Sequence, residues 1–165
     1  MALMLLLAQT VSVGFLALWL TTGLRDNLLY PEVNETFTAE VMDMARLRRD
    51  YPDCYAPMAH RRVQSRRLQK LAFRLIVGWE LLATLALWTG TLALAAALLG
   101  LMGGESARAV ALGATLMFTA TWAMFLIAGN HFAYWFGHEG AQNTHFQMTL
   151  WGTAVMILLA TGEVS

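Results

Sequence analysis

The chain has 165 residues, of which 58% are hydrophobic and 13% charged, and its formal net charge at pH 7 is zero. Charged residues make up about 25% of an ordinary soluble domain, so this composition excludes a typical water-soluble globular protein. One cysteine excludes an internal disulfide. The length fits one domain, and we take residues 1–165 as a single membrane domain.

Four apolar stretches predict four membrane-spanning helices, at about residues 2–24, 71–101, 107–129 and 143–161. A helix needs roughly 17–25 mostly apolar residues to cross the hydrocarbon core of a bilayer. Lipid offers the backbone no hydrogen-bonding partner, so each spanning stretch must be helical. The sequence therefore predicts an all-α fold, an integral membrane four-helix bundle.

Residues 25–70 form an extramembrane loop between spans 1 and 2, and we expect a short amphipathic helix within it, at about residues 36–51. One face of this helix carries the apolar residues Phe37, Val41, Met44 and Tyr51. Such a helix lies on the bilayer surface, or it packs on the other spans or on a partner. Ser65 is the expected N-cap of the long second span.

Basic residues are concentrated in and beside this loop, since ten of the eleven Lys and Arg residues lie between Arg25 and Arg74. The positive-inside rule places the loop in the cytoplasm and both termini outside. The basic run from His60 to Lys70 adjoins a span, which indicates topology and contact with lipid headgroups. We therefore expect membrane lipids, and no nucleic acid, as partners.

Small residues on the second span predict close packing against the third. On the second span they recur at spacings of three and four, at Ala83, Ala86, Gly90, Ala93 and Ala97. The third span has a weaker counterpart in Ala109, Gly113 and Ala120. Small residues let membrane helices approach closely, and the turn at residues 103–105 is short. Spans 2 and 3 are therefore expected to form a tight antiparallel hairpin.

Glu80 is the one carboxylate inside a predicted span. A charge at mid-depth costs about 2.5–3.5 kcal/mol on insertion scales, so such a residue faces the bundle or a watery cavity. Spans 2 and 3 are antiparallel, so a residue on span 3 lies at the depth of Glu80 when it is equally far from the turn between them. This places Glu80 near Asn130 and His131, and we expect a polar contact of Glu80 with these two residues. Its role is either a structural clamp or part of a proton or ion path. A second pair, Asp26 with Arg74, is expected at the interface.

Three histidines follow the third span at intervals of seven, His131, His138 and His145. They are weak candidates for metal ligands, and two histidines from different helices could bind haem. Each lies near or outside the end of a predicted span, and two glycines between them interrupt any shared helix. We therefore expect interfacial histidines with ordinary hydrogen bonds, and no cofactor.

The spans carry no phosphate-binding glycine loop, no nucleophile elbow and no pair of carboxylates at helical spacing. We therefore expect a non-catalytic protein. The first hypothesis is an accessory or structural subunit of a larger bacterial inner-membrane complex, respiratory or photosynthetic, in contact with other membrane subunits. The alternative is a small transporter, channel or ion-coupling protein centred on Glu80.

Short motifs along the chain resemble a known family. They comprise Asp26, Asn27, Asn34, Phe37, Val41, Met42, Asp43, Glu80 and the segment 129–135. Over nearly its whole length the chain is similar to a family of small bacterial integral membrane proteins, the domain of unknown function numbered 2165. The resemblance implies four spans in the bacterial inner membrane and assigns no activity or functional residues. It also implies a cytoplasmic amino terminus, opposite to the charge distribution, so both orientations remain open.

Overall fold

The computed structural model describes residues 2–161, which form seven α-helices, one 3-10 helix and no strand. The α-helices are α1 (Ala2–Leu29), α2 (Pro31–Met42), α3 (Ala45–Asp50), α4 (Pro52–Tyr55), α5 (Arg66–Leu98), α6 (Gly104–His131) and α7 (Glu139–Ala160). The 3-10 helix covers Ala56–Arg61. The described chain is therefore all-helical, as the sequence predicts.

Three of the described helices are long and apolar enough to cross a membrane, Leu3–Leu29, Arg66–Leu98 and Gly104–His131. Helical hydrogen bonding continues into the polar flanks of the apolar stretches, so α1 runs beyond the predicted end at residue 24 and α5 begins before residue 71. The 22-residue α7 is a fourth long helix, but polar residues fill its first two turns.

The four long helices share one apolar core. It contains Leu16 of α1, Leu87 of α5, Phe118 of α6 and Val155 of α7, each at most 4% exposed. The outward faces of the same helices expose large apolar side chains, among them Phe15, Leu85, Leu116 and Ile157. An apolar outer surface over helices of this length suits contact with lipid.

Helices α5 and α6 form a close antiparallel pair joined by a short turn, as predicted. Gly90 marks their closest approach, because a Cβ added there would lie only 2.9 Å from the Cα of Ala111. Ala83 and Gly90 are buried, and Ala86, Ala93 and Ala97 pack at the margin of the core. The stripe on the second span therefore packs inside the molecule.

The stripe predicted on the third span is wrong. Ala109 and Gly113 are exposed, and nothing lies within 4 Å of a Cβ added at Gly113. The buried alanines of α6 are instead Ala107, Ala111 and Ala114. A shift of two positions turns a helix by about 200°, which moves the packing surface to the opposite side.

The predicted loop helix over residues 36–51 is divided in two. Helix α2 ends at Met42, and Met44 adopts a left-handed conformation with φ of 50° before α3 begins. This turn carries the Met44 side chain into a small buried cluster with Leu47 and Ala133. Burial of that side chain explains why the helix does not continue.

The segment from α2 to the 3-10 helix packs on the α6–α7 loop, residues 132–138, and we call these two segments together the cap. Asp43 ties the cap together, because it pairs with Arg48 at 3.0 Å and with Arg62 at 2.8 Å. Cys54, in α4, is exposed on the cap. Ser65 caps α5 as predicted, its hydroxyl oxygen accepting the Leu68 N–H.

Candidate functional site

A cavity of about 540 Å³ lies where the cap meets the long helices. Its walls come from α1, α2, α5, α6, α7 and the α6–α7 loop. They are mostly apolar and include six aromatic residues, Phe37, Phe73, Trp122, Phe125, Phe132 and Tyr134. Sites for small ligands typically measure 300–1,000 Å³ and combine apolar walls with a few polar groups. The size and walls of this cavity are those of such a site.

One wall of the cavity carries a chain of three polar side chains. The Asn27 Nδ2 donates a hydrogen bond to the Glu80 Oε2 at 2.6 Å, and the Asn34 Nδ2 donates to the Asn27 Oδ1 at 2.6 Å. Glu80 and Asn27 are both buried. Among the described residues, no Lys, Arg or His forms an ion pair with Glu80.

Local backbone structure brings these groups together. Because α1 continues for a further turn past its apolar stretch, Asn27 is still helical and points into the protein. The chain then turns at Tyr30, and Pro31 starts α2, where its missing N–H costs no helical hydrogen bond. Helix α2 folds back over the cavity, which places Asn34 one turn from its start and beside Asn27.

Three residues that line the cavity carry buried polar atoms without partners. The Trp122 Nε1, the Tyr134 hydroxyl and the His145 Nδ1 are buried, and none has a hydrogen-bond partner in the described part of the chain. The Tyr134 and His145 rings stack with centroids 6.0 Å apart. Buried polar groups are nearly always hydrogen-bonded. Three residues that line one cavity therefore carry polar atoms that the described chain leaves unpaired.

Gly129 sets the position of Tyr134. A Cβ added at Gly129 would lie 2.6 Å from the Tyr134 ring, so only glycine lets the ring rest on α6. The chain reaches this position through Ala133, whose φ is 52°, and the Tyr134 N–H donates to the Gly129 carbonyl at 3.0 Å. Burial raises the pKa of the Tyr134 phenol, which therefore stays protonated at neutral pH and can donate or accept.

Arg46 fastens the α6–α7 loop to the rest of the cap. Its guanidinium donates to the Gly137 carbonyl and pairs with Glu40 at 3.2 Å. The guanidinium carbon also lies 5.6 Å from the centroid of the Phe37 ring. The His138 ring packs against the same Phe37 ring in a T-shaped arrangement, with the two centroids 4.8 Å apart. Burial, together with the charge of Arg46, lowers the pKa of His138. The imidazole is therefore neutral at pH 7.

The predicted contact of Glu80 with Asn130 and His131 is wrong, since Glu80 is bonded to Asn27 instead. Asn130 and His131 are exposed at the end of α6. The depth of Glu80 was placed correctly, but depth does not fix rotation about the helix axis. At this level α6 faces the cavity with Gly129, and Asn130 lies a further 100° around the helix.

The predicted pair of Asp26 with Arg74 is also wrong. The Asp26 carboxylate pairs at 2.8 Å with Arg25, the residue before it in sequence, and both side chains are exposed. Arg74 is exposed and forms no ion pair within residues 2–161. An exposed ion pair contributes only about 0–1 kcal/mol to stability. The neighbouring Arg25 is therefore as good a partner for Asp26 as Arg74 would be.

The three predicted histidines lie in different surroundings. His131 is exposed, His138 packs on Phe37, and His145 lies among the aromatic rings of the cavity. Within residues 2–161, no group of three or more His, Cys, Asp or Glu side chains is placed to hold a metal ion. Haem or metal binding at these histidines therefore has no support from the geometry, and the expected lack of a cofactor stays a prediction.

The sequence did not single out Trp122 or Tyr134 as site residues. Aromatic residues near the end of a span are typical of the interface belt, where their rings need no specific partner. The available signal was Gly129 five residues before Tyr134, but a glycine at a helix end has many uses. Only the fold shows that this glycine accommodates the ring.

The long apolar helices, their apolar outer surface and the cap define a small multi-helix integral membrane protein. Residues 5–161 match the family described as predicted small integral membrane protein (DUF2165). The chain belongs to that family, as its short motifs indicated. No curated protein and no solved structure matches it.

Proposed function

We propose that this protein is a non-catalytic binding protein of the bacterial inner membrane, which holds a small amphiphilic molecule in the cavity beneath the cap. The observation that carries the proposal is the cavity itself, which is lined by aromatic rings and by the hydrogen-bonded carboxyl group of Glu80. The aromatic rings would take the apolar part of the molecule, and Glu80 would orient its head.

We infer that the cavity opens toward the bilayer between α1 and α7. These helices touch near their middles, where the Trp19 and Trp151 rings lie 6.2 Å apart. Nearer the cap, Gly23 and Gly140 line the cavity, are exposed, and have nothing within 4 Å of an added Cβ. Two residues without side chains therefore flank an opening on the lipid side, which gives access to a molecule dissolved in the membrane.

We place all four long helices across the membrane. The 22 residues of α7 extend about 33 Å, enough to cross about 30 Å of hydrocarbon. The cap then lies on one side of the bilayer and the α5–α6 turn on the other. Nearly all Lys and Arg residues lie in or beside the cap, which favours a cytoplasmic cap under the positive-inside rule.

The binding proposal is tested by closing the opening. Gly23→Phe fills it, while Gly113→Phe adds the same ring at another exposed helical glycine that does not line the cavity. Protein purified in a neutral detergent is extracted with organic solvent, and its small molecules are quantified by mass spectrometry. We expect one species at defined stoichiometry in the unsubstituted protein and in Gly113→Phe, and its loss in Gly23→Phe. Equal content in all three proteins would count against the proposal.

A second candidate function is that of an accessory subunit in a larger respiratory or photosynthetic assembly. It is favoured by the corner between α1 and α2, where four apolar residues are between 61% and 68% exposed. These are Leu28, Leu29, Tyr30 and Val33. An apolar patch beside the cap is a suitable contact for a neighbouring subunit, although it also suits the lipid interface.

Gentle solubilisation tests the subunit role. A partner that co-purifies at a fixed ratio should be lost from Val33→Glu and kept by Leu101→Glu, a similarly exposed position at the α5–α6 turn. Recovery of the chain alone from native membranes would remove this candidate. The transporter or channel alternative has less support, because buried Leu20, Leu87 and Phe118 fill the core on the far side of Glu80 from the cap.

A further inference from the structure

We propose that the molecule held in the cavity is a membrane-soluble organic amine, whose positive charge pairs with Glu80. This inference rests on the proposed binding function and adds the chemical class of the ligand. It is carried by the charge of the cavity, by the geometry around the Glu80 carboxylate and by the aromatic walls.

The cavity carries an uncompensated acidic group. Of the described residues that line it, Glu80 is the sole Asp, Glu, Lys or Arg. Of the basic residues in and beside the cap, Arg62 pairs with Asp43 and Arg66 with Glu35. Within residues 2–161, none pairs with Glu80. A carboxylate in an apolar wall is costly without a partner. A cation from outside the chain would supply one.

The hydrogen bonding of Glu80 leaves one carboxyl oxygen free. The Asn27 amide donates to Oε2. Asn34 fixes the orientation of that amide by donating to its oxygen. Within residues 2–161, Oε1 accepts no hydrogen bond. An ammonium N–H of the ligand would bond to this oxygen.

The remaining walls suit an organic cation better than a hydrated metal ion. Aromatic faces attract cations, and Phe73, Trp122 and Phe125 line the same cavity as Glu80. A neutral amphiphile would fit the apolar walls equally well but would leave Glu80 without a counter-charge.

Three probes of equal chain length separate these possibilities, n-octylamine, n-octanol and n-octanoate. Each is titrated into the full chain in a neutral maltoside detergent, and dissociation constants are taken from the rise in unfolding temperature. A charge-assisted hydrogen bond contributes about 1.5–3 kcal/mol. We expect octylamine to bind at least about tenfold more tightly than octanol, and octanoate to bind least.

Removal of the charge tests the role of Glu80 directly. In Glu80→Gln the amide oxygen can still accept from Asn27, so we expect octylamine and octanol to bind equally. Glu105→Gln is the matched control, because Glu105 is an exposed carboxylate in the first turn of α6, at the opposite end of the bundle. It should keep the preference for octylamine. The probe series on the unsubstituted protein decides the question even where Glu80→Gln does not fold.

The outcomes separate the two proposals. Equal binding of octylamine and octanol to the unsubstituted protein overturns the amine assignment and leaves the binding function standing. Preference for octylamine that persists in Glu80→Gln also overturns the assignment. Binding of none of the three probes overturns the proposed binding function together with the assignment.

Discussion

Replacement of Gly90 by alanine should separate α5 from α6. The added Cβ would lie 2.9 Å from the Cα of Ala111 and 3.4 Å from its Cβ, whereas carbon atoms in good contact are about 3.5–4.0 Å apart. Because the nearest atom belongs to the backbone, a side-chain rotation cannot relieve the clash. Overpacking of this kind costs about 1–3 kcal/mol, and alanine returns about 0.5–1 kcal/mol of helix propensity. We expect a net loss of up to about 2.5 kcal/mol.

The assay is unfolding in mixed micelles by increasing the fraction of sodium dodecyl sulfate, followed by circular dichroism. Gly78→Ala is the matched control, because Gly78 lies on the same helix and has nothing within 4 Å of an added Cβ. It should unfold at the same fraction of the denaturing detergent or a higher one. If Gly90→Ala is as stable as Gly78→Ala, the close approach of α5 and α6 at Ala111 is refuted.

Three further predictions concern the cap and its join to the cavity. Gly129→Ala should displace the Tyr134 ring, which a Cβ would meet at 2.6 Å, and lower the free energy of unfolding by about 1–3 kcal/mol in the same assay. Because the pKa of His138 is lowered in the folded protein, the unfolded chain takes up a proton first as the pH falls. Stability should therefore be full above about pH 6.5 and decline below it, and His138→Gln should flatten this decline. Arg46→Ala removes the bond to the α6–α7 loop and should speed amide hydrogen exchange there, with a loss of about 1–3 kcal/mol of local stability. Arg25→Ala, which removes only an exposed pair with the adjacent residue, should change exchange in that loop little.

The features that the sequence predicted correctly are those that follow from lipid as the surrounding solvent. Long apolar stretches specify helices because lipid leaves the backbone no other way to satisfy its hydrogen bonds. The predicted stretches are helical except at residues 99–101 and 161, which lie just past the ends of α5 and α7. The same reasoning identified Glu80 as a residue that avoids lipid, and it is buried. Small residues on α5 predicted its close packing against α6. At position 90 the two backbones are so close that the residue has to be a glycine.

What the sequence could not supply is the rotation of each helix about its axis. Several helices offer polar residues at the level of Glu80, and a turn of about 100° per residue decides which of them faces it. Asn27 faces it, and Asn130 does not. The break at Met44 was missed for a related reason, because a single left-handed residue in an otherwise helical pattern is set by tertiary burial.

The position of Cys54 gives the cap a natural chemical marker. It is the sole cysteine of the chain, and its side chain is exposed in α4. A charged maleimide that does not penetrate the bilayer therefore modifies the native protein from one face of the membrane alone. Comparing intact cells with inverted vesicles thus reports the sidedness of the protein without an engineered tag.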